Sequence, residues 1–574
     1  MRKNTLLGAF IAALMVFPSC KDDINQLKDT VKISISTPRL ETVVAVQFVD
    51  AKTDEVILKK KISLKISGKN ANDVFDNRGK KVIKYTVQYG LTTFIIDPKV
   101  STEAALKTTP VDFILNASCP GYSDFTQRIV VSENKLTPIR IKMVQLDDLP
   151  AGVSKHVTSK FATATNGIVN STSTASLDEG NSTVTITKGT ILKDENGNPL
   201  SGNVSAQILF YNPASEDALE AFPGGLDVQA TRPDGTVGDI NFMSAGVFDI
   251  NLTAGGKTVK TFEGGAATIK TILDPAMVNP KTSKAIVEGD NIELWSMDKG
   301  SGKWKYEKMA TVKKAGTELY LEESIAHLSY WNWDWFNNSC YQGATIEWTG
   351  EVKGVSFNIL ASDQVGYWSK TTSVYADPND KYNKRLTFLN VPQNRPTTIK
   401  FRSQNTGYDE LVFDPAQITI DNMCELRTYP VKISYKKKAP YRFDLDMNIT
   451  ITAPNSQKVI KVNTWLAYRP ENGAWNMVKM VDGKLKLKDI VTGIPYYVMG
   501  SSQQVYGEAI VKAEEIAPTM LRITLTPTVV YSTTGSSAAN MPAETWIVRK
   551  PIDGVANVNG NIEVPQHIAD VLGM

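Results

Sequence analysis

The sequence predicts an all-β protein built from tandem Ig-like or transthyretin-like β-sandwich domains. From residue 31 onward apolar residues alternate with polar ones at a period of two, as at Val44, Val46 and Phe48. Turn-forming residues interrupt these segments at short intervals, and sustained apolar spacings of three and four residues are rare. At about 150 residues per domain, a chain of this length divides into about three to five domains.

Composition and charge limit the function classes. Hydrophobic residues make up 42% of the 574 residues and charged residues 21%, as in soluble globular proteins. Lysine and arginine total 63 against 60 acidic residues, so the net charge is only +3 and nothing predicts a nucleic-acid partner. Only three histidines occur, which disfavours a histidine-rich metal centre. We therefore expect neither a metal nor another cofactor.

The N-terminus is typical of a signal peptide over residues 1–19. Arg2 and Lys3 precede an apolar stretch from Leu6 to Phe17, and Cys20 follows. A membrane span needs about 20 apolar residues, and this stretch is too short. The end of the stretch resembles a bacterial lipoprotein cleavage site, which implies that Cys20 becomes the lipidated (palmitate-type) N-terminus. Several acyl chains on one residue hold a soluble protein stably at a membrane.

Residues 20–30 are predicted to form a lipidated tether. Three charged residues follow the cysteine directly: Lys21, Asp22 and Asp23. They resemble the signal that sends Bacteroidota-type lipoproteins to the outer face of the outer membrane, although three charges could also simply begin a solvated tether. Asp29–Val31 resembles the O-glycosylation acceptor of the same bacteria and makes Thr30 a candidate acceptor. The predicted location is the cell surface, with a lipid anchor in the outer membrane.

Changes in composition divide the rest of the chain into four β blocks and a tail. Asp147–Gly152 closes the first block, and Lys436–Pro440 separates the third from the fourth. The last segment is polar and rich in Ser, Ala, Asn and Gly, which favours an extended arm. The predicted ranges are block one, 31–150; block two, 151–336; block three, 337–435; block four, 436–532; and the C-terminal arm, 533–574.

Short motifs recur in blocks one, three and four. Pro120–Asp124 and Thr406–Glu410 share a Gly-Tyr-x-acid turn, and Leu389–Pro392 and Val491–Pro495 share a step that ends in apolar-Pro. These motifs resemble the carboxypeptidase regulatory-like, or transthyretin-like, Ig-type sandwich. The resemblance covers blocks one and three better than block four. It implies an accessory β-sandwich without catalysis.

Block two carries a second resemblance through five segments that appear in order over about 140 residues. They are Asp194–Gly202, Phe222–Leu226, Met243–Phe248, Leu294–Asp298 and His327–Asp334. The order is similar to the extracellular β-rich module shared by cartilage intermediate layer proteins and their bacterial lipoprotein relatives. The resemblance implies a β-sandwich with an interaction role and transfers no known site.

Several residues are candidates for special chemistry. Cys340 and Cys424 bracket block three and could form a disulfide in an exported protein, which leaves Cys119 as a buried free thiol. Asp194–Asn198 has the first oxygen spacing of a calcium loop but lacks the glutamate at the twelfth position, so we interpret it as a hairpin turn.

Two further oxygen-rich segments, Asp377–Asn383 and Asp444–Asn448, could hold calcium or could be a solvated loop and a strand edge. Of the three histidines, His156 and His327 lie in block two and His567 lies in the C-terminal arm, and none has a second ligand at zinc spacing.

The aromatic run Tyr330–Phe336 is the most conspicuous feature. On a strand Trp331, Trp333 and Trp335 share one face, which could be a binding platform for sugar rings or for a partner's apolar surface. The alternative is that this face packs into the core, which the rarity of exposed tryptophan ladders favours.

These observations together predict a protein that binds rather than catalyses. No Gly-x-Ser-x-Gly nucleophile elbow occurs, and every block has the size of a single β domain. We expect a non-enzymatic outer-membrane surface lipoprotein that acts as an accessory or structural subunit and binds outer-membrane protein partners. The alternative is a surface adhesin or glycan-binding lipoprotein that captures a ligand.

Overall fold

The computed structural model describes residues 33–36 and 42–566, with gaps at 59, 77–78, 89, 266, 351, 353–354, 364–367, 381–382, 403–409, 437–440, 454–457, 472, 502–504, 518, 533–537, 540 and 552–553. These residues form 45 strands and two short helices, α1 (Glu103–Thr108) and α2 (Glu216–Glu220), with 3-10 turns at Ala71–Asp73 and Glu179–Asn181. The predicted all-β class is therefore confirmed. No helix within these ranges is long and apolar enough to cross a membrane.

Block one is a sandwich of two four-stranded sheets, β4-β6-β2-β9 and β5-β3-β7-β8. The strands in the range predicted for this block are β1 (Ile33–Ser36), β2 (Val43–Asp50), β3 (Lys61–Ser67), β4 (Val74–Phe75), β5 (Lys84–Gln88), β6 (Leu91–Ile96), β7 (Val111–Ser118), β8 (Phe125–Val131) and β9 (Leu136–Met143). Along β3 the apolar residues are buried while the intervening polar ones are exposed, as the period of two predicts. Phe48, Phe94 and Phe113 fill the space between the sheets.

Block two contributes most of a 14-stranded sheet and the whole of a five-stranded sheet, β12-β13-β20-β26-β25. Its strands are β10 (Val153–Thr165), β11 (Ile168–Val169), β12 (Ser173–Leu177), β13 (Ser182–Ile186), β14 (Ile191–Lys193), β15 (Gly202–Tyr211), β16 (Asp227–Thr231), β17 (Val237–Ala254), β18 (Lys257–Thr258), β19 (Thr261–Glu263), β20 (Ala267–Leu273), β21 (Val278–Asn279), β22 (Lys284–Ala285), β23 (Asn291–Asp298), β24 (Lys303–Thr311), β25 (Lys313–Ala315) and β26 (Glu318–Ile325).

A single 20-residue strand, β27 (Tyr330–Thr349), belongs to both block two and block three. Its first half pairs with β17 and β23. The strand therefore continues through the boundary predicted between residues 336 and 337. One continuous hydrophobic core includes side chains from both blocks, among them Trp333 and Phe357.

Block three completes its sandwich with a four-stranded sheet, β29-β28-β31-β33. The strands that follow β27 are β28 (Val355–Asp363), β29 (Ser369–Ala376), β30 (Arg385–Pro392), β31 (Thr397–Arg402), β32 (Glu410–Asp414), β33 (Gln417–Ile420) and β34 (Thr428–Lys436). The second half of β27 pairs with β30 on one side and, in parallel, with β34 on the other.

Block four is a 12-stranded sheet with its own core. Its strands are β35 (Arg442–Thr452), β36 (Lys458–Lys461), β37 (Thr464–Pro470), β38 (Asn476–Val481), β39 (Lys484–Val491), β40 (Pro495–Ser501), β41 (Val505–Ala517), β42 (Met520–Ser532), β43 (Ala538–Ala539), β44 (Glu544–Arg549) and β45 (Val555–Glu563). The strand β1 lies within the range predicted for block one, but it pairs in parallel with β36 of block four.

The C-terminal segment differs from the extended arm predicted over 533–574. β44 pairs with β42, and β45 pairs in parallel with β35. Ala556 and Val558 are buried in the core of block four. The polar composition misled the prediction because the apolar residues of this segment are few, and β35, the partner strand of β45, lies more than 100 residues earlier.

Block one also packs against block four through a contact that we call the Trp465 interface. Its buried side chains are Val43, Ala45, Val49, Val56, Leu91 and Leu136 from block one and Trp465, Ala467, Trp475, Met477 and Met499 from block four. The ring of Tyr375 from block three meets Trp465 edge-on at 5.8 Å between centroids. Apolar burial therefore joins the fourth block to the rest of the molecule.

Candidate functional site

Blocks one, two and three meet at a polar cleft of about 440 Å³. Block one supplies residues of β8 and β9, block two supplies the end of α2 and the loop after it, and block three supplies residues of β28 to β31. Pockets of 300–1,000 Å³ at domain junctions are common small-molecule sites. This junction is therefore the candidate functional site, and we call it the three-block cleft.

Local sequence explains how block two presents its side of the cleft. Ser215 caps α2 by accepting a hydrogen bond from the Ala218 amide, and Ala218 and Leu219 bury one face of the helix. The Phe-Pro-Gly-Gly-Leu turn follows. Gly224 and Gly225 both adopt positive φ, +83° and +73°, which glycine tolerates without steric cost. The turn leads directly into β16, whose first residue is Asp227.

Glu220, the last residue of α2, joins all three blocks. Its side chain is 5% exposed and pairs with Lys142 of block one. It also accepts hydrogen bonds from Thr371 Oγ1 at 2.7 Å and from Arg402 Nη1 at 3.0 Å, both in block three. Burial acts to raise the pKa of Glu220, but the charges of Lys142 and Arg402 and the hydrogen bonds from Lys142 and Thr371 outweigh it. The pKa of Glu220 therefore lies below its ordinary value of 4.5.

For Asp227, seven residues later, burial outweighs the effect of the charged partner on the pKa. Its Oδ2 lies 2.6 Å from Lys370 Nζ, which also donates to the Leu389 carbonyl oxygen at 2.9 Å. Burial raises the pKa of Asp227 above its ordinary value of 3.8 despite Lys370, and the negative charge of Asp239 adds to the rise. The two carboxylates of the same cleft are thus tuned in opposite directions by the number of partners that surround each.

Every cation that lines the cleft has a carboxylate partner. Arg128 is held between Asp112 and Asp239, and Arg140 contacts Asp54. The five cations are Arg128, Arg140, Lys142, Lys370 and Arg402, and their six carboxylate partners are Asp54, Asp112, Glu216, Glu220, Asp227 and Asp239. The cleft is therefore densely charged but close to neutral overall.

Such a site is suited to holding a polar ligand in a fixed orientation. Ion pairing fixes the position of each charged group before a ligand arrives, which lowers the entropy lost on binding. Among the residues that the structure describes, no group of three or more His, Cys, Asp or Glu side chains could hold a metal ion.

The tryptophans predicted as a possible binding platform are core residues, which corrects that interpretation. Trp331, Trp333 and Trp335 are 2%, 0% and 0% exposed. Each indole N–H has an acceptor, respectively the His327 carbonyl oxygen, Thr271 Oγ1 and the Asn291 carbonyl oxygen. Through Thr271, Trp333 contacts β20 of the five-stranded sheet. Because all three side chains are buried, they offer no surface to a sugar or a partner.

The structure forms a disulfide between Cys340 and Cys424, with 5.7 Å between their Cα atoms. The bridge ties β27 to the loop before β34. Cys119 is a free, buried thiol, and burial raises its pKa. A neutral buried thiol of this kind is a poor nucleophile.

His327 and the oxygen-rich segments are engaged in local structure. The His327 ring stacks near Trp331 and lies 3.4 Å from Glu307. Burial acts to raise the pKa of Glu307, but hydrogen bonds from His327 and Ser296 help to lower it to about 2.

Two of the segments considered for calcium use their carboxylates within the protein. Asp194 Oδ1 accepts the amides of Asn196 and Asn198 at 2.9 and 2.8 Å and closes a turn. Asp444 and Asp446 pair with the lysines of β39, Lys488 and Lys486.

The residues predicted for anchoring and modification lie outside the described residues. They are Cys20, Lys21, Asp22, Asp23 and Thr30. Their lipidation, export and glycosylation roles stay predictions.

The residues of the three-block cleft were missed by sequence reasoning. Glu220 lies 78 positions from Lys142 and 182 from Arg402, and no local pattern signals such distant pairs. The sequence nevertheless contained a signal for part of the cleft. Two motifs quoted for family resemblance, Phe222–Leu226 and Leu389–Pro392, each supply residues to the walls.

Comparisons with known proteins add little to this description. No protein-family model matches the chain, and no curated protein matches it. Among solved structures, a streptococcal ancillary pilin is 10% identical over 48% of this chain and 92% of that chain, with a TM-score of 0.14. The major pilin subunit BcpA of Bacillus cereus is 8% identical over 91% and 99%, with a TM-score of 0.13. The shaft pilin SpaA of Lactobacillus rhamnosus GG is 9% identical over 39% and 97%, with a TM-score of 0.16. Likenesses of this size do not bear on function.

Proposed function

We propose that the chain is a non-enzymatic lipoprotein of the outer-membrane surface, anchored through Cys20, which acts as an accessory subunit for outer-membrane protein partners. One observation carries the proposal: the four blocks are held together by extensive buried contacts. Glu220 links blocks one, two and three, and the Trp465 interface links blocks one and four. Surfaces contributed by different blocks therefore keep a fixed spacing, as a docking subunit requires. The predicted signal peptide and the resemblance to accessory sandwich modules support the same function.

The test is purification of the full-length lipoprotein from its own outer membrane in mild detergent, followed by mass spectrometry of the co-purifying proteins. We expect a membrane protein in constant stoichiometry with this chain. Recovery of the lipoprotein alone would contradict the docking role.

The anchor needs its own control. Cys20→Ala should abolish labelling by a fatty-acid analogue and release the protein from the membrane fraction. Labelling that persists in this variant would show that the N-terminus had been misinterpreted.

A further inference from the structure

We propose that the side chains of Lys299 and Asn251 in block two become joined by an amide bond, with Asp249 as the group that transfers the protons. Asp249 and Asn251 belong to β17, and Lys299 lies in the turn between β23 and β24. The inference concerns a covalent modification within the chain. It is independent of the docking role and of the membrane anchor proposed above.

Strand register brings the three side chains together beside a buried aromatic ring. Asp249 lies directly opposite Tyr330 of β27, and both residues are 0% exposed. Asn251 lies two positions further along β17, and alternate residues of a strand share one face. Lys299 reaches this face from its turn, with Nζ 4.5 Å from the centroid of the Tyr330 ring. An amine, a carboxylate and a carboxamide therefore meet in one largely buried cluster.

The contacts within the cluster are those that amide formation needs. Lys299 Nζ donates to Asn251 Oδ1 at 2.6 Å and also pairs with Asp249 Oδ1. Asn251 Nδ2 donates to the same Asp249 oxygen at 3.0 Å. Since a carbonyl bond is about 1.23 Å long, Asn251 Cγ lies at most about 3.8 Å from Lys299 Nζ. Aligned reacting atoms are about 3–3.5 Å apart, so a small movement brings the two atoms into range.

A proton that leaves Lys299 has an acceptor already in contact with the amine. The Asp249 side chain is 1% exposed, and its second oxygen, Oδ2, has no hydrogen-bond partner. Buried polar atoms almost always have a partner, so this oxygen is an unused acceptor inside the cluster. Loss of the proton gives Lys299 the neutral amine that nucleophilic attack requires.

The reaction needs no group from outside the cluster. Lys299 Nζ attacks Asn251 Cγ, so that the Nζ–Cγ bond forms and the Cγ–Nδ2 bond breaks. Asp249 takes protons from Nζ and delivers them to Nδ2, which it also contacts, so that this nitrogen leaves as ammonia. Overall, the lysine ammonium and the carboxamide become a secondary amide and an ammonium ion, and the Asp249 carboxylate is regenerated. Nothing is oxidised or reduced.

The bond links two parts of the chain that are 48 residues apart. A cross-link of this kind stabilises a fold chiefly by restricting the unfolded chain. The turn that carries Lys299 also contacts block one, because Thr126 Oγ1 donates to the Lys299 carbonyl oxygen at 3.2 Å. The amide therefore fixes to β17 a turn against which block one packs.

The test is peptide mapping of the full-length lipoprotein purified from its own outer membrane. Trypsin does not cleave after an acylated lysine, so Lys299 should appear in a peptide that continues to Lys303. This peptide should be covalently joined to the one that contains Asn251. The mass of the joined pair should be lower than that of the two separate peptides by one molecule of ammonia, and fragmentation should place the bond at Lys299 and Asn251.

Four variants assign the roles of the residues. Lys299→Arg keeps the positive charge but removes the primary amine, and Asn251→Ala removes the carboxamide, so both should yield only separate peptides. Asp249→Ala should lower the joined fraction at least about tenfold, because proton transfer is lost. Lys303→Arg, at an exposed position at the other end of the same turn, is the control and should leave the bond intact. Thermal unfolding of each variant checks that the fold is retained.

Three outcomes would overturn the proposal. Separate, unmodified peptides from the wild-type protein, even after prolonged incubation in the folded state, would show that no bond forms. A joined pair that has lost water instead of ammonia would place the bond at a carboxylate and not at Asn251. A joined pair that persists in Lys299→Arg or Asn251→Ala would place it elsewhere. The pull-down of membrane partners is a separate readout, so either proposal can fail without the other.

Discussion

The two junctions that hold the blocks together are stabilised by different kinds of contact. At the three-block cleft the contacts are ion pairs centred on Glu220, with its side chain 5% exposed. At the Trp465 interface they are apolar, and Trp465, Trp475 and Met477 are buried against valines and leucines of block one. Burial of apolar surface stabilises the folded state in proportion to the area buried. A buried ion pair matters chiefly because the loss of one partner leaves the other charge buried and unpaired, which is strongly destabilising. The apolar junction therefore suits permanent attachment, whereas the polar junction depends on each of its charged partners being present.

The largest expected effect is at the apolar junction. Trp465→Ala should lower the free energy of unfolding of block four by about 3–5 kcal/mol, because it leaves a cavity where a large side chain was buried. Urea unfolding measures the change. Ile547→Ala, at a 60% exposed position of the same block, is the control and should shift stability by less than about 0.5 kcal/mol. Equal effects of the two variants would contradict a packed interface.

A somewhat smaller loss is expected at the polar junction. Glu220→Gln should cost about 3 kcal/mol, because Lys142, only 12% exposed, is left without its main carboxylate. Glu216→Gln is a matched control: it pairs with the same Arg402, but the Glu216 side chain is 53% exposed. Its cost should be below about 1 kcal/mol. If both variants behaved alike, burial would not be what makes Glu220 important.

The two junctions should also differ in their response to pH. The pKa of Glu220 is lowered from 4.5 in the folded protein, so the unfolded chain binds more protons in the interval below 4.5. The stabilisation by Glu220 is fully present above about pH 4.5 and is lost as the pH falls through the folded pKa. The stability difference between the wild type and Glu220→Gln should therefore shrink upon acidification, while the effect of Trp465→Ala stays constant. A difference that grew in acid would reverse the assigned sign.

The smallest effect is expected at an exposed ion pair that belongs to neither junction. Lys52 and Asp148 are paired with 48% and 52% of their side chains exposed. Lys52→Ala should change the free energy of unfolding by less than about 1 kcal/mol, and less still in high salt. A large effect, measured by the same urea unfolding, would show that ion pairs in this protein matter regardless of burial.

The elements that sequence patterns predicted are those whose signal is local. Ile62, Leu64 and Ile66 alternate with lysines and serine, and the structure buries these three residues in one sheet. The terminal strand Val555–Glu563 carries a weaker signal, because glycine and asparagines dilute its alternation. Its burial depends on pairing with β35, more than 100 residues away, and such a contact leaves no periodic mark in the sequence.

The same distinction applies to the candidate site. Gly224 and Asn390 belong to motifs that are visible in the sequence because a backbone with positive φ restricts the residue type. The partners that give the cleft its charge balance, such as Lys142 and Arg402, are ordinary surface-type residues in the sequence. Only the packing of three blocks brings them together.

The 20-residue strand β27 constrains the order in which the blocks can fold during synthesis. The amino end emerges first during synthesis, and domains generally fold as soon as they are complete. Block two cannot bury Trp331, Trp333 and Trp335 until β27 is available, and the second half of β27 needs β34, which ends at Lys436. About a hundred residues must therefore emerge after the last tryptophan before its strand is fully paired. We therefore expect blocks two and three to fold together. A chain cut between them should yield neither block in folded form.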